Sequence, residues 1–536
     1  MLFNSYIFIF LFLPITLLGF HLLGKNGHHR LTVSWLIAAS LFFYGWWNPI
    51  YIVLIIGSTL FNYSMGSILL ARPNKLFLSL GIIGNIGTLG YFKYANFFVD
   101  NINTLVSNDI ILEQIILPLG ISFFTFQQIT YLVDTYLGKT KEYNFLKYCL
   151  FVTFFPQLIA GPIVHHKNMM PQFTDRLLSG LKLNNLASGF TIFVIGLFKK
   201  VIIADGIAVS ASPLFEVAER SIDITFFEAW GGAIAYTFQL YFDFSGYSDM
   251  AIGLALMFGI IIPVNFLSPY KANNINEFWR NWHISLSNLI RDYLYYPISL
   301  SLTRYANNIN AGPFSAFNLT ILLPTMFAFF WVGLWHGAGW NFVLFGLLHG
   351  SYIVIYNVWV KIKYNFPKIK IVKKAIISNT LAKIITFLAI TFSFVLFRAE
   401  SLNGATNILS SMLGAEGISL PLSMADNFGR AATWLTENNI IVFEGMFRNN
   451  IFGHTPLVGL LWILTLFVIT LFLPNTQQIM RSHNPGFEMW TGKILKTQFK
   501  WMVWHPTIYW GIFVTIMFVF CILSVSKPSE FLYFQF

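Results

Sequence analysis

The residues of this chain best placed to do chemistry are two histidines. His336 stands in Gly333-Leu334-Trp335-His336-Gly337-Ala338-Gly339-Trp340, entered from an apolar run, and His283 stands in Trp282-His283-Ile284-Ser285. An imidazole can take a proton from an attacking hydroxyl and return it to a leaving thiol near neutral pH. The small residues around His336 let a ligand or another helix approach the backbone closely, and the tryptophans can wall off water. A histidine bridging two helices by hydrogen bonds would fit the same context, so both readings stay open. His283 equally fits a residue that satisfies a backbone carbonyl or faces lipid headgroups. Around it Glu277, Arg280, Arg291 and Asp292 crowd within sixteen residues. Charges that dense in an apolar chain need a use or an interface.

Asp243 and Asp249 are six apart in Tyr241-Phe242-Asp243-Phe244-Ser245-Gly246-Tyr247-Ser248-Asp249. Buried unpaired they would be costly, so they are expected to close ion pairs with Arg280 or Arg291, or to orient the histidines; the ion pair is the simpler reading. His165 and His166 suggest a metal at first sight. Adjacent histidines on a helix point about 100° apart, however, and no third ligand is in register, so no metal site is expected. His336 and His349 match no zinc-protease spacing. The sequence has neither a phosphate-binding glycine loop nor a dinucleotide fingerprint.

These groups must be held by membrane helices. Of the 536 residues 56% are apolar and only 10% charged, with a mean hydropathy of +0.65; a soluble domain would be roughly a quarter charged. The apolar runs are helix-length, which excludes a barrel of strands about 9–11 residues long. Residues 2–23 have no basic run before them and no small-residue cleavage site after them, so they read as a retained helix and not a signal peptide. Two cysteines, Cys149 and Cys521, both in apolar segments, give no disulfide framework. The 33 basic against 22 acidic residues mark cytoplasmic loops before any polyanionic partner, and no nucleic acid is expected.

Basic loops fix the sides. Lys361, Lys363, Lys368, Lys370, Lys373 and Lys374 mark the cytoplasm, and residues 398–456 form a long outer loop richer in acids. Alternation from there predicts an all-α polytopic protein with about twelve transmembrane helices and both termini outside. Residues 145–162 lie between two basic loops and read as re-entrant. The whole of 1–536 is one membrane domain, with a polar insertion on the cytoplasmic side at 265–316. There Phe278, Trp282, Leu286, Leu289 and Tyr293 recur at helical spacing. They predict an interfacial amphipathic helix with Arg280 and His283 off its apolar stripe.

Read together, WRNWHISLSNLIRDYLY, GLWHGAGWNFVLFGLLHG, PLGISFFTFQQITYLVD, QLYFDFSGYSDMAIGLALMFG and the terminal FLYFQF resemble the membrane-bound O-acyltransferase family, and within it the bacterial alginate O-acetyltransferase type. The resemblance runs along the whole chain. It implies helices around a funnel open to the cytoplasm, an acyl thioester used inside, and an acyl group passed through the membrane to an acceptor or partner outside. The family's near-invariant histidine falls on His336 and its second on His283. Trp282, Arg280, Arg291, Trp335 and Asp243 then form the set expected to position donor or acceptor. The donor is expected to be acetyl-coenzyme A, a co-substrate and not a bound cofactor, because Lys271, Arg280, Arg291 and Arg304 crowd the region where its phosphates would lie. The acceptor is expected to be an exported polysaccharide such as alginate, reached through a separate outer transferase. The chain departs from the type after RDYLYYP, where it has Ile298-Ser299-Leu300-Ser301-Leu302-Thr303-Arg304 in place of Gly-Gly and basic residues; that difference falls where a donor or partner would dock. The alternatives are transfer of D-alanine from a carrier protein toward teichoic acid, and a non-enzymatic polysaccharide exporter. Transporters often show paired halves with matching broken helices, and no second copy of WHIS or WHGA is present.

Overall fold

In hydrocarbon every backbone N–H and C=O must find its partner inside the protein, so long apolar runs fold as helices. The computed structural model describes residues 1–106, 110–140, 144–173, 180–365, 375–438, 440–445, 447, 456–483, 486, 499–525 and 531–532. In chain order its main helices are α1 Phe8–Lys25, α2 His29–Gly45, α3 Ile50–Ala71, α4 Lys75–Val106 and α5 Ile121–Tyr136. They continue with α6 Leu183–Phe198, α7 Phe226–Met257, α8 Ile275–Asn281, α9 Ile284–Ile290 and α10 Pro313–His336. The last are α11 Trp340–Asn365, α12 Ala375–Arg398, α13 Pro456–Phe472 and α14 Ile508–Ser524. Among the described residues six helices, in α1, α3, α4, α10, α11 and α12, are long and apolar enough to cross a membrane. The chain is thus a predominantly α-helical, polytopic membrane protein. Its strand content among the described residues is one parallel pair, β1 Ile418–Ser419 and β2 Ile441–Val442, with Ile418 opposite Ile441 and Ser419 opposite Val442.

Local chemistry sets several helix ends. Asn48 accepts from the Ile50 N–H at 3.1 Å and turns α2 into α3. Asn74 caps α4 through the Leu76 N–H at 2.8 Å. At α7 Thr225 and Glu228 form a capping box. The 145–162 segment is a nine-residue helix, Phe145–Thr153, then a break at Phe154 and a single turn, Phe155–Leu158; about 14 Å of helix is too short to cross. Of the lysine loop only Lys361 and Lys363 are described; Lys368, Lys370, Lys373 and Lys374 lie outside the described residues.

The centre of the fold is the crossing of α6 and its continuation with α7. A Cβ at Gly196 or Gly253 would run into the facing helix's backbone, so these glycines allow the two helices to pack main chain to main chain. At the same crossing α6 passes through a π-turn, Lys199–Ala204, into the helix Asp205–Glu219. The turn presents two lysines to α7. Lys200 Nζ lies 2.7 Å from Asp243 and 2.9 Å from Asp205, while Lys199 Nζ lies 2.6 Å from Asp249. Asp249 also accepts from the Thr476 hydroxyl at 2.6 Å, and Asp243 from the Leu532 N–H at 3.1 Å. The expected pairing of these carboxylates with Arg280 or Arg291 is therefore corrected. Two lysines one turn from the glycine contact take both carboxylates instead.

Lys200 and Asp243 are both about 2% exposed, and removing one partner of a buried pair leaves an uncompensated charge. Asp243→Asn is expected to destabilise by about 3 kcal/mol, the low end for such losses because Asp205 still faces Lys200. The measurement is monodisperse yield after detergent extraction. Lys200→Met with Asp243→Leu should restore most of that yield, and an Asp243→Asn protein extracted at the unmodified level would remove the structural assignment.

Candidate functional site

The site is built where two helices are interrupted. After Asn281 the chain does not continue as one amphipathic helix: His283 adopts φ 42°, ψ 54°, a left-handed conformation. The expectation of a single interfacial helix is corrected by this break, which separates α8 from α9. Side chain and backbone of Asn265 take up the freed groups. Its carbonyl accepts from the Ile284 N–H at 3.0 Å, and its Oδ1 accepts from the Ser285 N–H at 3.1 Å and hydroxyl at 2.7 Å. The break turns His283 off the helical stripe and into the protein, where the residue is 1% exposed. Neither of its ring nitrogens has a hydrogen-bond partner among the described residues. Burial pushes its pKa down to about 3, so the ring is neutral at neutral pH.

The second interruption follows His336. Gly337 is extended, φ −162°, ψ 155°, and ends α10; α11 begins three residues on. A Cβ at Gly337 would overlap the Phe342 ring, and one at Gly333 would overlap the Phe342 carbonyl. The small residues of GLWHGAG thus let α10 and α11 fold back in contact. His336, 6% exposed, is walled by Phe397 at 5.0 Å and Phe345 at 5.7 Å between ring centroids.

Trp335 joins the two interruptions. Its ring centroid lies 4.8 Å from that of His336 and 6.0 Å from that of His283, and it is held from behind by Phe126 and Phe123. Phe244 meets His283 edge-on at 4.8 Å. Two buried imidazoles thus lie on either side of one tryptophan ring, an arrangement that could move a proton between a hydroxyl and a leaving group.

The other expected site residues divide. Arg280 and Arg291 line a cavity of about 330 Å³, with Trp279, Ser287, Tyr295 and Val332 among its other walls; Arg291 also pairs with Asp292 at 2.6 Å. Trp282 is packed among Phe266, Phe278 and Phe394 and lies outside that lining. Asp243 belongs to the α6–α7 crossing, where Lys200 and the Leu532 N–H take its carboxylate, and among the described residues it pairs with neither histidine. Lys271 donates to the Leu473 carbonyl at 3.0 Å. His165 stacks on Tyr293 at 5.7 Å, and His166 Nδ1 is 2.9 Å from the Thr140 hydroxyl.

Two groups escaped the sequence reading. Lys93 and Tyr94 of α4 bond the carbonyls at the end of α10; a lysine inside the apolar run Gly90-Tyr91-Phe92-Lys93-Tyr94 was the available signal. His349 is fully buried, accepts from the Trp279 indole N–H at 3.2 Å and meets Ser393 Oγ at 2.8 Å. Because that hydroxyl donates to the Ile390 carbonyl, His349 carries its proton on Nε2. It is a fully used, structural histidine. Ser393→Ala leaves that N–H unpaired and should cost about 1–3 kcal/mol. Thermal unfolding should register the loss, with turnover per folded molecule unchanged; a fall in turnover instead would move His349 into the working site.

Comparison with known proteins gives a consistent set. The family model of the membrane-bound O-acyltransferases matches residues 78–398. A peptidoglycan O-acetyltransferase of Helicobacter pylori is 38% identical over 570 aligned positions, covering 100% of this chain and 98% of its own. A probable alginate O-acetylase of Pseudomonas aeruginosa is 40% identical over 425, covering 77% and 75%. A teichoic acid D-alanyltransferase of Streptococcus thermophilus is 28% identical over 288, covering 52% and 68%.

Proposed function

Because the chain belongs to the membrane-bound O-acyltransferase family, we propose that it moves an acetyl group from a cytoplasmic thioester, acetyl-coenzyme A, toward hydroxyls of an exported polysaccharide. It is an O-acyltransferase and a multi-pass protein of the cytoplasmic (inner) membrane. The observation that carries the chemical reading is the pair of buried histidines on either side of Trp335. His336 takes the proton of the attacking hydroxyl as its oxygen bonds the thioester carbonyl carbon. The carbon–sulfur bond then breaks, and the same proton goes to the leaving sulfur. His283, neutral and with both ring nitrogens open to a ligand, orients donor or acceptor. Arg280 and Arg291, which line a cavity of about 330 Å³ whose walls include neither histidine, take the donor's phosphates.

The acceptor reading follows the relatives' names. Alginate is favoured by the sequence motifs and by several relatives of about 40% identity. Peptidoglycan stands beside it, because the Helicobacter pylori relative aligns over the full chain. Both are glycans beyond the membrane, which requires an outer transferase or acceptor to complete the relay. D-alanyl transfer ranks behind, on relatives of 28–29% identity over about half the chain.

The topology belongs to the same proposal. α2, α5, α6 with its continuation, α7, α13 and α14 join the six long helices to make about twelve crossings around a funnel open to the cytoplasm. Residues 265–316 then face the cytoplasm and 398–456 the outside, within a single domain. Cysteines placed at Lys363 and Asp426 should label from opposite faces, and labelling of both from one face would sink the arrangement.

His336→Ala should lower acyl transfer at least about 10²-fold while leaving the protein folded and inserted. The assay supplies radiolabelled acetyl-coenzyme A or D-alanyl carrier protein to the purified protein and follows thioester loss. Full turnover by His336→Ala would remove the assignment, and turnover of the carrier protein alone would transfer it to D-alanylation. Alkali-released acetate from purified peptidoglycan and exopolysaccharide of a deletion strain then separates the two acceptors.

A further inference from the structure

We propose that Lys93 is a positioning residue for His336: its ammonium holds the last two carbonyls of α10 and so sets where the imidazole sits. The inference rests on the catalytic reading of His336.

A helix leaves its last carbonyls without intrahelical donors. A glycine in the left-handed conformation often closes such an end, but Gly337 is extended and α10 lacks that closure. The donors come from α4 instead. The Tyr94 hydroxyl donates to the Leu334 carbonyl at 2.8 Å. Lys93 Nζ donates to the Trp335 carbonyl and, at 3.2 Å, to that of His336. Three consecutive carbonyls, ending with that of the histidine itself, are thus held by two neighbouring side chains. Farther along α4, Asn101 Oδ1 accepts from the Trp340 indole N–H at 2.9 Å, and Phe97 lies 5.9 Å from the Trp340 ring. One helix therefore grips both sides of the WHGAGW turn.

The choice of residue is informative. A lysine inside an apolar span is costly, and a neutral donor could satisfy one carbonyl. A lysine Nζ carries more than one donor, enough for two carbonyls at once. The local backbone is adapted as well. Gly90–Tyr94 is a π-turn, whose extra residue shifts the register of the side chains that follow, and such turns are frequent at working sites. Since His336 is the last helical residue, its ring moves with the turn that Lys93 fastens. Misplacement of a reacting group by about 1 Å can cost on the order of 10²-fold in rate.

The test compares Lys93→Met, which keeps the stem and removes the ammonium, with Lys93→Arg, which keeps charge and donors. Each is purified whole and assayed with whichever of acetyl-coenzyme A and D-alanyl carrier protein the unmodified protein consumes. Lys93→Met should lower kcat per folded molecule about tenfold or more with KM for the donor within about twofold, and Lys93→Arg should recover most of it. Unmodified kcat in Lys93→Met, or the same loss in both variants, overturns the proposal. If Lys93→Met does not fold, Lys93→Gln, which keeps a neutral donor group at the position, takes its place and should lower kcat about threefold at unchanged KM; no change there overturns the proposal equally. His336→Ala measured alongside keeps the two readings apart. Full turnover in that variant removes the catalytic reading, whereas an inert His336→Ala with an unimpaired Lys93→Met removes the positioning role alone.

Discussion

The structure depends on one constraint: a helix interrupted inside a membrane protein must have its freed backbone groups satisfied by the protein itself. Both histidines sit at such interruptions. Asn265 closes the break at His283 by accepting from Ile284 and Ser285, and Lys93 with Tyr94 closes the one after His336.

The carboxylates serve a different demand. Asp243 and Asp249 bind Lys200 and Lys199 across the α6–α7 crossing, where glycines already remove the side chains between the main chains. Their charges are spent on assembly, and the contacts described place neither against an imidazole. A Ser-His-Asp kind of orientation is absent from the described contacts of His283. What surrounds it is aromatic, Phe244 and Trp335, so its position is fixed by packing and backbone conformation.

Much of this was legible in the sequence. The helical class and the two histidine motifs follow from apolar run length and from the rarity of polar residues within it. The pairing of Asp243 did not follow, because spacing along α7 says nothing about which helix faces it; its partner Lys200 stands with Lys199 at the end of a separate apolar run. The continuous helix expected over 278–293 failed for a physical reason. Its period was right on both sides of Trp282, but a left-handed residue reverses the chain direction locally without leaving any mark on hydrophobic spacing. Lys93 had a signal, a lone cation in an apolar helix, whose meaning needed the end of α10 beside it.

That left-handed residue is itself evidence about the site. For a side chain with a Cβ the conformation costs about 1–2 kcal/mol, and a break needing only positive φ would be filled by glycine or asparagine at less expense. Here the position is taken by a histidine, buried, with its ring between Phe244 and Trp335 and with no hydrogen bond from the described residues to either nitrogen. The ring neither caps the helix nor repairs the break, since Asn265 does that. The strain of the backbone and the cost of burying two open ring nitrogens are both borne to place an imidazole at that point. Strain held in this way, by a surrounding structure that fixes the residue from several sides, is the pattern of a site whose geometry matters more than its contribution to stability.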